Sequence, residues 1–245
     1  VDGTNLERQR TTRNLMYLMA KGLVPHTYWY VYGGYILAEK IRDVDGVQNP
    51  PNVEVCVKRY HVGTHKHIYH NMANMKTRQG PNLIDKDGQY AVPIVRFDWR
   101  NPNHLLPTGA KARLLDMPHA QIFVNPLRDA QISEEEIERT LQLMFPHGIP
   151  LGDYALCEDL ADKFINTVAA KATVLRAFET LESHFANMGI RFKDVCFMVT
   201  LEGTKIFGEV SQDCGRYELI DMDASLDKDV WRAGGSSELV LEKWK

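Results

Sequence analysis

The chain has 245 residues, 44% of them hydrophobic and 25% charged, which suits one large domain or two small lobes that fold without disulfides or metal. Its 29 Lys and Arg against 32 Asp and Glu give a formal charge of −3, which removes the bulk electrostatic case for binding nucleic acid or an anionic membrane. No apolar run approaches the roughly 20 residues of a membrane span. The opening Val1-Asp2-Gly3-Thr4 has no signal-peptide pattern and no Met, which fits a processed or partial chain. The 4 cysteines are widely spaced, with no C-x-x-C pair, as expected of reduced thiols packed in a cytoplasmic protein.

In chain order, a first helix is expected over about 11–21, with Leu15, Leu18 and Met19 on one face and Gly22 as a left-handed cap. Residues 28–37 are rich in aromatic and β-branched types and predict a strand broken at Gly33-Gly34. Further strands are predicted over 53–58 and 94–99. Ser133 followed by Glu136 is a capping box for a helix ending near Met144. A long helix is expected over about 153–188, with Leu156, Leu160, Phe164 and Val168 and then Leu175, Phe178, Leu181 and Phe185 as its stripe, closed by Gly189. Glu202-Gly203 predicts a hairpin between 195–201 and 204–209. A strand over 217–222 and a short helix from about Ser236 complete an α+β order rather than strict βαβ alternation.

Two clusters carry candidate chemistry. Lys58-Arg59-Tyr60-His61-Val62-Gly63-Thr64 leaves a strand with cations, a glycine that lets the backbone approach, and a hydroxyl, a set that suits a phosphate. A solvated basic turn accounts for the same residues equally well. His61, His65, His67 and His70 invite zinc, but no cysteine or carboxylate stands at ligand spacing to them, so a metal there is disfavoured. The second cluster, Gly208-Glu209-Val210-Ser211-Gln212-Asp213-Cys214-Gly215-Arg216, puts carboxylates, a hydroxyl and a guanidinium on one tight turn. Such carboxylates can hold Mg²⁺ against nucleotide phosphates, and the arginine can grip a phosphate. Taken alone, a polar surface turn with Arg216 on Asp213 is the simpler account. Asp194 lies just before the hairpin and can point to the same place.

These segments resemble SAICAR synthetase (phosphoribosylaminoimidazole-succinocarboxamide synthase). Ala20-Lys21-Gly22-Leu23-Val24-Pro25 is similar to the end of that family's first helix. Val53-Glu54-Val55-Cys56-Val57-Lys58 through Gly63-Thr64 resembles its Pro-Val-Glu-Val-Val-Val-Arg strand and following turn. Ser211-Gln212-Asp213-Cys214-Gly215-Arg216 resembles its Ser-Pro-Asp-Gly-Ser-Arg run, the most specific of the matches. Lys228-Asp229-Val230-Trp231-Arg232 falls where the family has Lys-Asp-x-Phe-Arg. The likeness covers most of the chain, with an insertion between about Asn101 and Asp153. Two departures stand out. The family's glycine-rich loop over the ATP phosphates has no counterpart here, as if the chain began after it. In Asp194-Val195-Cys196-Phe197-Met198, Cys196 and Met198 also stand where the family has its active-site Lys and Glu.

The resemblance implies a two-lobed, ATP-grasp-like α+β fold with antiparallel sheets and a long helix. Residues 1–100 would be the remainder of the nucleotide lobe and 101–245 the lobe with the substrate and metal site. It implies an ATP-dependent ligase joining L-aspartate to the carboxylate of an aminoimidazole ribonucleotide in purine synthesis. Its partners would be those small molecules, with no nucleic acid or membrane, and an assembly of identical chains is left open. Lys58, Arg59, Gly63, Thr64, Ser211 and Arg216 would hold the substrate phosphate, and Glu54 and Glu209 the ATP. Asp194 and Glu209 would bind Mg²⁺, and Asp194, Glu209 and Arg216 would serve catalysis. Two alternatives stay open: a nucleotide-binding pseudoenzyme on this fold, and a ligase for a different carboxylate.

Overall fold

A computed structural model describes residues 3–32, 35–43, 46, 51–62, 88–100, 121–144, 154–222, 224–226 and 235–244. Helix α1 (Asn5–Lys21) starts earlier than its apolar stripe predicts and buries Leu15, Met16 and Met19. Gly22 is not its left-handed cap: its φ is −78°, and Leu23 takes the positive φ, at 55°. Glycine is required there for a different reason. A Cβ on Gly22 would come within 2.7 Å of Thr180 Cγ2, on the helix packed against α1. β1 (Tyr28–Tyr32) and β2 (Tyr35–Ala38) are two antiparallel strands paired from Tyr28↔Ala38 to Tyr32↔Tyr35, rather than one broken strand.

The main sheet contains β3 (Val53–Tyr60), β4 (Gln89–Trp99), β5 (Tyr154–Leu156), β6 (Ile190–Val199), β7 (Ile206–Phe207), β8 (Gly215–Leu219) and β9 (Ala224–Ser225). Its order is β5-β4-β3-β6-β8-β9, with β7 also on β6, and these strands all pair antiparallel with one another. The predicted hairpin forms between β6 and β7. Its loop is closed by Thr200 N–H donating to Lys205 O, with Gly203 at φ 70°.

The predicted 153–188 helix is in fact three pieces: β5, the short α4 (Glu158–Ala161) and α5 (Thr167–Ala186). Side-chain hydrogen bonds compete with the helix at the break. Asp162 Oδ1 accepts from Thr167 N–H and Oγ1, and Asn166 Oδ1 caps α5 by accepting from Ala169 N–H. The first half of the stripe is therefore only partly in the core: Leu156 packs against it, but Leu160 is 47% exposed and Val168 75%. The second half behaves as predicted. Ala170, Val174, Ala177, Phe178, Leu181 and Phe185 bury one face of α5 on β3 and β6, and Gly189 ends the turn at φ 71°. Phe178 stacks on Phe192 at 4.8 Å, and Phe192 on Tyr217 at 4.9 Å.

The chain divides into two compact units, one of 1–99 with 154–245 and the other of 100–153, the stretch expected as an insertion. The second unit holds α2 (Gln121–Asp129) and α3 (Glu134–Met144), with Val124, Ile137 and Leu141 buried. Ser133 Oγ accepts from Glu136 N–H, as the capping box predicts. The C-terminal α6 (Ser237–Trp244) begins where the short helix is expected. No helix among the described residues is long and apolar enough to cross a membrane.

Candidate functional site

Strand alternation gives the sheet two unlike faces. On β3, Val53, Val55 and Val57 are fully buried in the core with α5, so Glu54, Cys56 and Lys58 point to the opposite face. The register places Lys58 beside Asp194 on β6, and Asp194 beside Arg216 on β8. Lys58 Nζ donates to Asp194 Oδ2 at 2.6 Å, and Arg216 Nη1 donates to the same oxygen at 2.7 Å. Lys58 also donates to Val62 O at 2.9 Å. Lys58 and Asp194 are each 3% exposed, so one buried carboxylate is shared by two cations. Three residues that the sequence only ranks as candidates thus form one row across three strands.

A bulge shapes this row. β6 sets two residues against one of β8 between Phe192 and Asp194. Phe192 and Val195 both stay in the core, which leaves Lys193 and Asp194 to the other face. Glu218 on β8 pairs with both Arg191 and Lys193, and the Arg191 guanidinium lies 5.8 Å from the Tyr60 ring centre. This end of the sheet therefore carries Lys58, Arg191, Lys193 and Arg216 against Asp194 and Glu218, an excess of positive charge.

The other candidates lie elsewhere. Arg59 is one residue past Lys58 and faces the helix side, where it forks onto Glu182 with both bonds at 2.7 Å. That carboxylate holds the Arg59 guanidinium above its usual pKa. Glu209 has a structural partner from far along the chain: Arg8, 201 residues upstream, donates to both its oxygens, with Nε at 2.6 Å from Oε1. Glu209 raises the Arg8 pKa in turn. Ser211 is fully buried; its hydroxyl donates to Glu209 and accepts from Asp213 N–H at 3.1 Å. Asp213 lies 3.9 Å from Arg8 Nη2, while Arg216 goes to Asp194. Gly63 and Thr64 lie outside the described residues, as do His65, His67, His70 and the 228–232 segment.

Magnesium prefers near-octahedral oxygen ligands. Asp194 and Glu209 do not fit it as they stand, because each already accepts from a cationic side chain. Among the described residues, the grouping of potential metal-ligating side chains is softer: Glu54, Cys56 and Cys196, with ligand atoms within 4.8 Å of one another. The sequence hides this group because Cys196 joins Glu54 and Cys56 only through the β3–β6 register. Arg96 and Asp98 on β4, an ion pair on the same face, also carry no local sequence signal; register puts Arg96 beside Cys56 and Asp98 beside Glu54.

No family model matches the chain. Bifunctional cordycepin biosynthesis cluster protein 3 of Cordyceps militaris is 27% identical over 257 residues, a match covering 100% of this chain and 27% of that protein. The chain thus spans about a quarter of the length of the curated relative it matches. Among solved structures, SAICAR synthetase from Pyrococcus horikoshii OT3 has a TM-score of 0.57 at 17% identity, covering 100% of this chain and 81% of that one. A SAICAR synthetase in complex with ADP has a TM-score of 0.55 at 18% identity, covering 100% and 79%. The chain has the α+β fold of the SAICAR synthetases, with the antiparallel sheet that the resemblance implies.

Proposed function

We propose that this chain is an ATP-dependent ligase that joins the amine of L-aspartate to the carboxylate of an aminoimidazole ribonucleotide, a step of purine synthesis. The observation that carries this is the Lys58–Asp194–Arg216 row, a net-positive triad on the face of the sheet away from α5. Lys58 and Arg216 would receive the substrate phosphate, and Arg216 offers the planar fork that fits two phosphate oxygens. Asp194 would hold both cations in place while the phosphate arrives. Transfer of the ATP γ-phosphoryl group to the substrate carboxylate gives an acyl phosphate; attack by the aspartate amine then forms the amide and expels phosphate.

ATP is assigned to the Glu54 and Glu209 region, in line with the ADP-bound neighbour of the same fold. Magnesium would supply charge neutralisation on the ATP phosphates, and no step is drawn through it, because Asp194 and Glu209 would first have to release their cations. The nucleotide role of 1–100 and the substrate role of 101–245 remain part of this proposal, with β3 from the first stretch and β6 and β8 from the second meeting in one row.

Cys196 and Met198, in place of the family's Lys and Glu, favour a second reading, a nucleotide-binding pseudoenzyme on this fold. The test is incubation of the chain with the ribonucleotide, L-aspartate, ATP and Mg²⁺, followed by mass spectrometry. Equal amounts of ADP and amide product support the proposed reaction. Nucleotide binding without turnover on any acid supports the second, and ADP formed only with another acid marks a ligase for a different carboxylate.

A further inference from the structure

We propose that Glu54, Cys56 and Cys196 form a three-ligand site for a thiophilic divalent cation of the zinc class. The strand geometry presents these donors together. Glu54 and Cys56 are two apart on β3 and so share a face, and Cys196 is the direct cross-strand neighbour of Cys56. Cys196 N–H donates to Cys214 O on the β8 side. The Cys56/Cys196 pair is therefore a non-hydrogen-bonded one, in which facing side chains approach most closely. Their sulfurs are 3.1 Å apart, and both lie within 4.8 Å of a Glu54 carboxylate oxygen.

The donor chemistry selects the metal. Two thiolates and one carboxylate suit zinc or cobalt, whereas magnesium and calcium want oxygen alone. Three protein ligands also leave a position for water or a ligand atom. The surroundings can take up the change. Cys56 is 2% exposed and its thiol donates to Asp98 Oδ2 at 3.6 Å, while Asp98 also pairs with Arg96. Before a cation arrives, the hydrogen bond with Cys196, and then burial, raise the Cys56 pKa. Cation binding reverses that balance. The two thiol protons leave to solvent, Cys56 ceases to donate to Asp98, and Arg96 keeps that carboxylate paired. Cys56 and Cys196 stand where the resembling family has Val and Lys. The site shares Glu54 with the ATP assignment, and Co²⁺ binding is read without ATP, ribonucleotide or turnover, so the two proposals fail separately.

The experiment uses the full chain, reduced with a non-thiol phosphine and titrated with Co²⁺ under argon. Expected are the intense visible bands of tetrahedral cobalt with a near-ultraviolet sulfur-to-cobalt charge-transfer band, saturating at about one equivalent and displaced by Zn²⁺. C196S should abolish the charge-transfer band or weaken Co²⁺ binding at least tenfold, and E54Q should weaken it while keeping the band. C157S, at the exposed cysteine outside the cluster, should behave as wild type. The proposal is overturned if the reduced chain gives no thiolate band, if C196S keeps it unchanged, or if C157S removes it. If C196S does not fold, E54Q together with C157S still decides: equal Co²⁺ affinity in E54Q and wild type removes Glu54, and with it the site.

Discussion

Replacing Asp194 with Asn keeps the size of the side chain and removes the one negative charge shared by Lys58 and Arg216. Both Lys58 and Asp194 are 3% exposed, so water cannot take over from the missing carboxylate at Lys58. The Arg216 side chain, 15% exposed, has more access to solvent. Taking one partner from a buried ion pair costs about 3–5 kcal/mol, a large part of the roughly 5–15 kcal/mol that holds a domain folded. For a chain of this size that lowers the melting temperature by roughly 6–20 °C. Thermal and urea unfolding followed by circular dichroism measure it. Lys58→Met combined with Asp194→Leu removes both fully buried charges and should recover most of the loss, because Arg216, which loses the same carboxylate, has access to solvent. An Asp194→Asn protein within about 1 kcal/mol of wild type would show that the row is solvated and would refute the reasoning.

Gly22→Ala should cost about 1–3 kcal/mol in urea unfolding through the clash with Thr180, since the φ of −78° suits alanine; adding Thr180→Ala should restore most of it. The Cys214 thiol is pushed up to about 12, mainly by burial, from an ordinary value of 9.0. The folded chain therefore keeps that proton between pH 9 and 12 while the unfolded chain releases it, so stability should fall with rising pH across that window. Urea melts should show a shallower decline for Cys214→Ala. Glu209→Gln should lower stability by up to about 1 kcal/mol, because Glu209 joins a half-buried arginine of α1 to the 208–216 turn; the same melts measure it.

Local signals were legible in the sequence wherever one segment settles its own structure. The Ser133/Glu136 capping box, the Glu202-Gly203 hairpin and the strand over 53–58 all appear as expected. The spacing of Leu156, Leu160, Phe164 and Val168 misleads, because Asp162 and Asn166 bind nearby N–H groups and restart the helix. Gly22 looks like a cap, yet its requirement comes from Thr180, far along the chain. The candidate site divides the same way. Lys58, Asp194 and Arg216 are nameable as residues, but their union depends on the register of three strands and on the bulge beside Asp194. Arg59 and Glu209 find partners in Glu182 and Arg8, which no local pattern indicates.

The most direct test of the account is calorimetric titration of the carboxylated aminoimidazole ribonucleotide into wild type and Arg216→Lys. Lysine keeps the charge and the pairing with Asp194 but loses the fork, so ribonucleotide binding should weaken by about 1–3 kcal/mol. ATP affinity should change far less. Equal affinity of the two proteins for the ribonucleotide, or no binding by wild type, would contradict the assignment of the Lys58–Asp194–Arg216 row to the substrate phosphate.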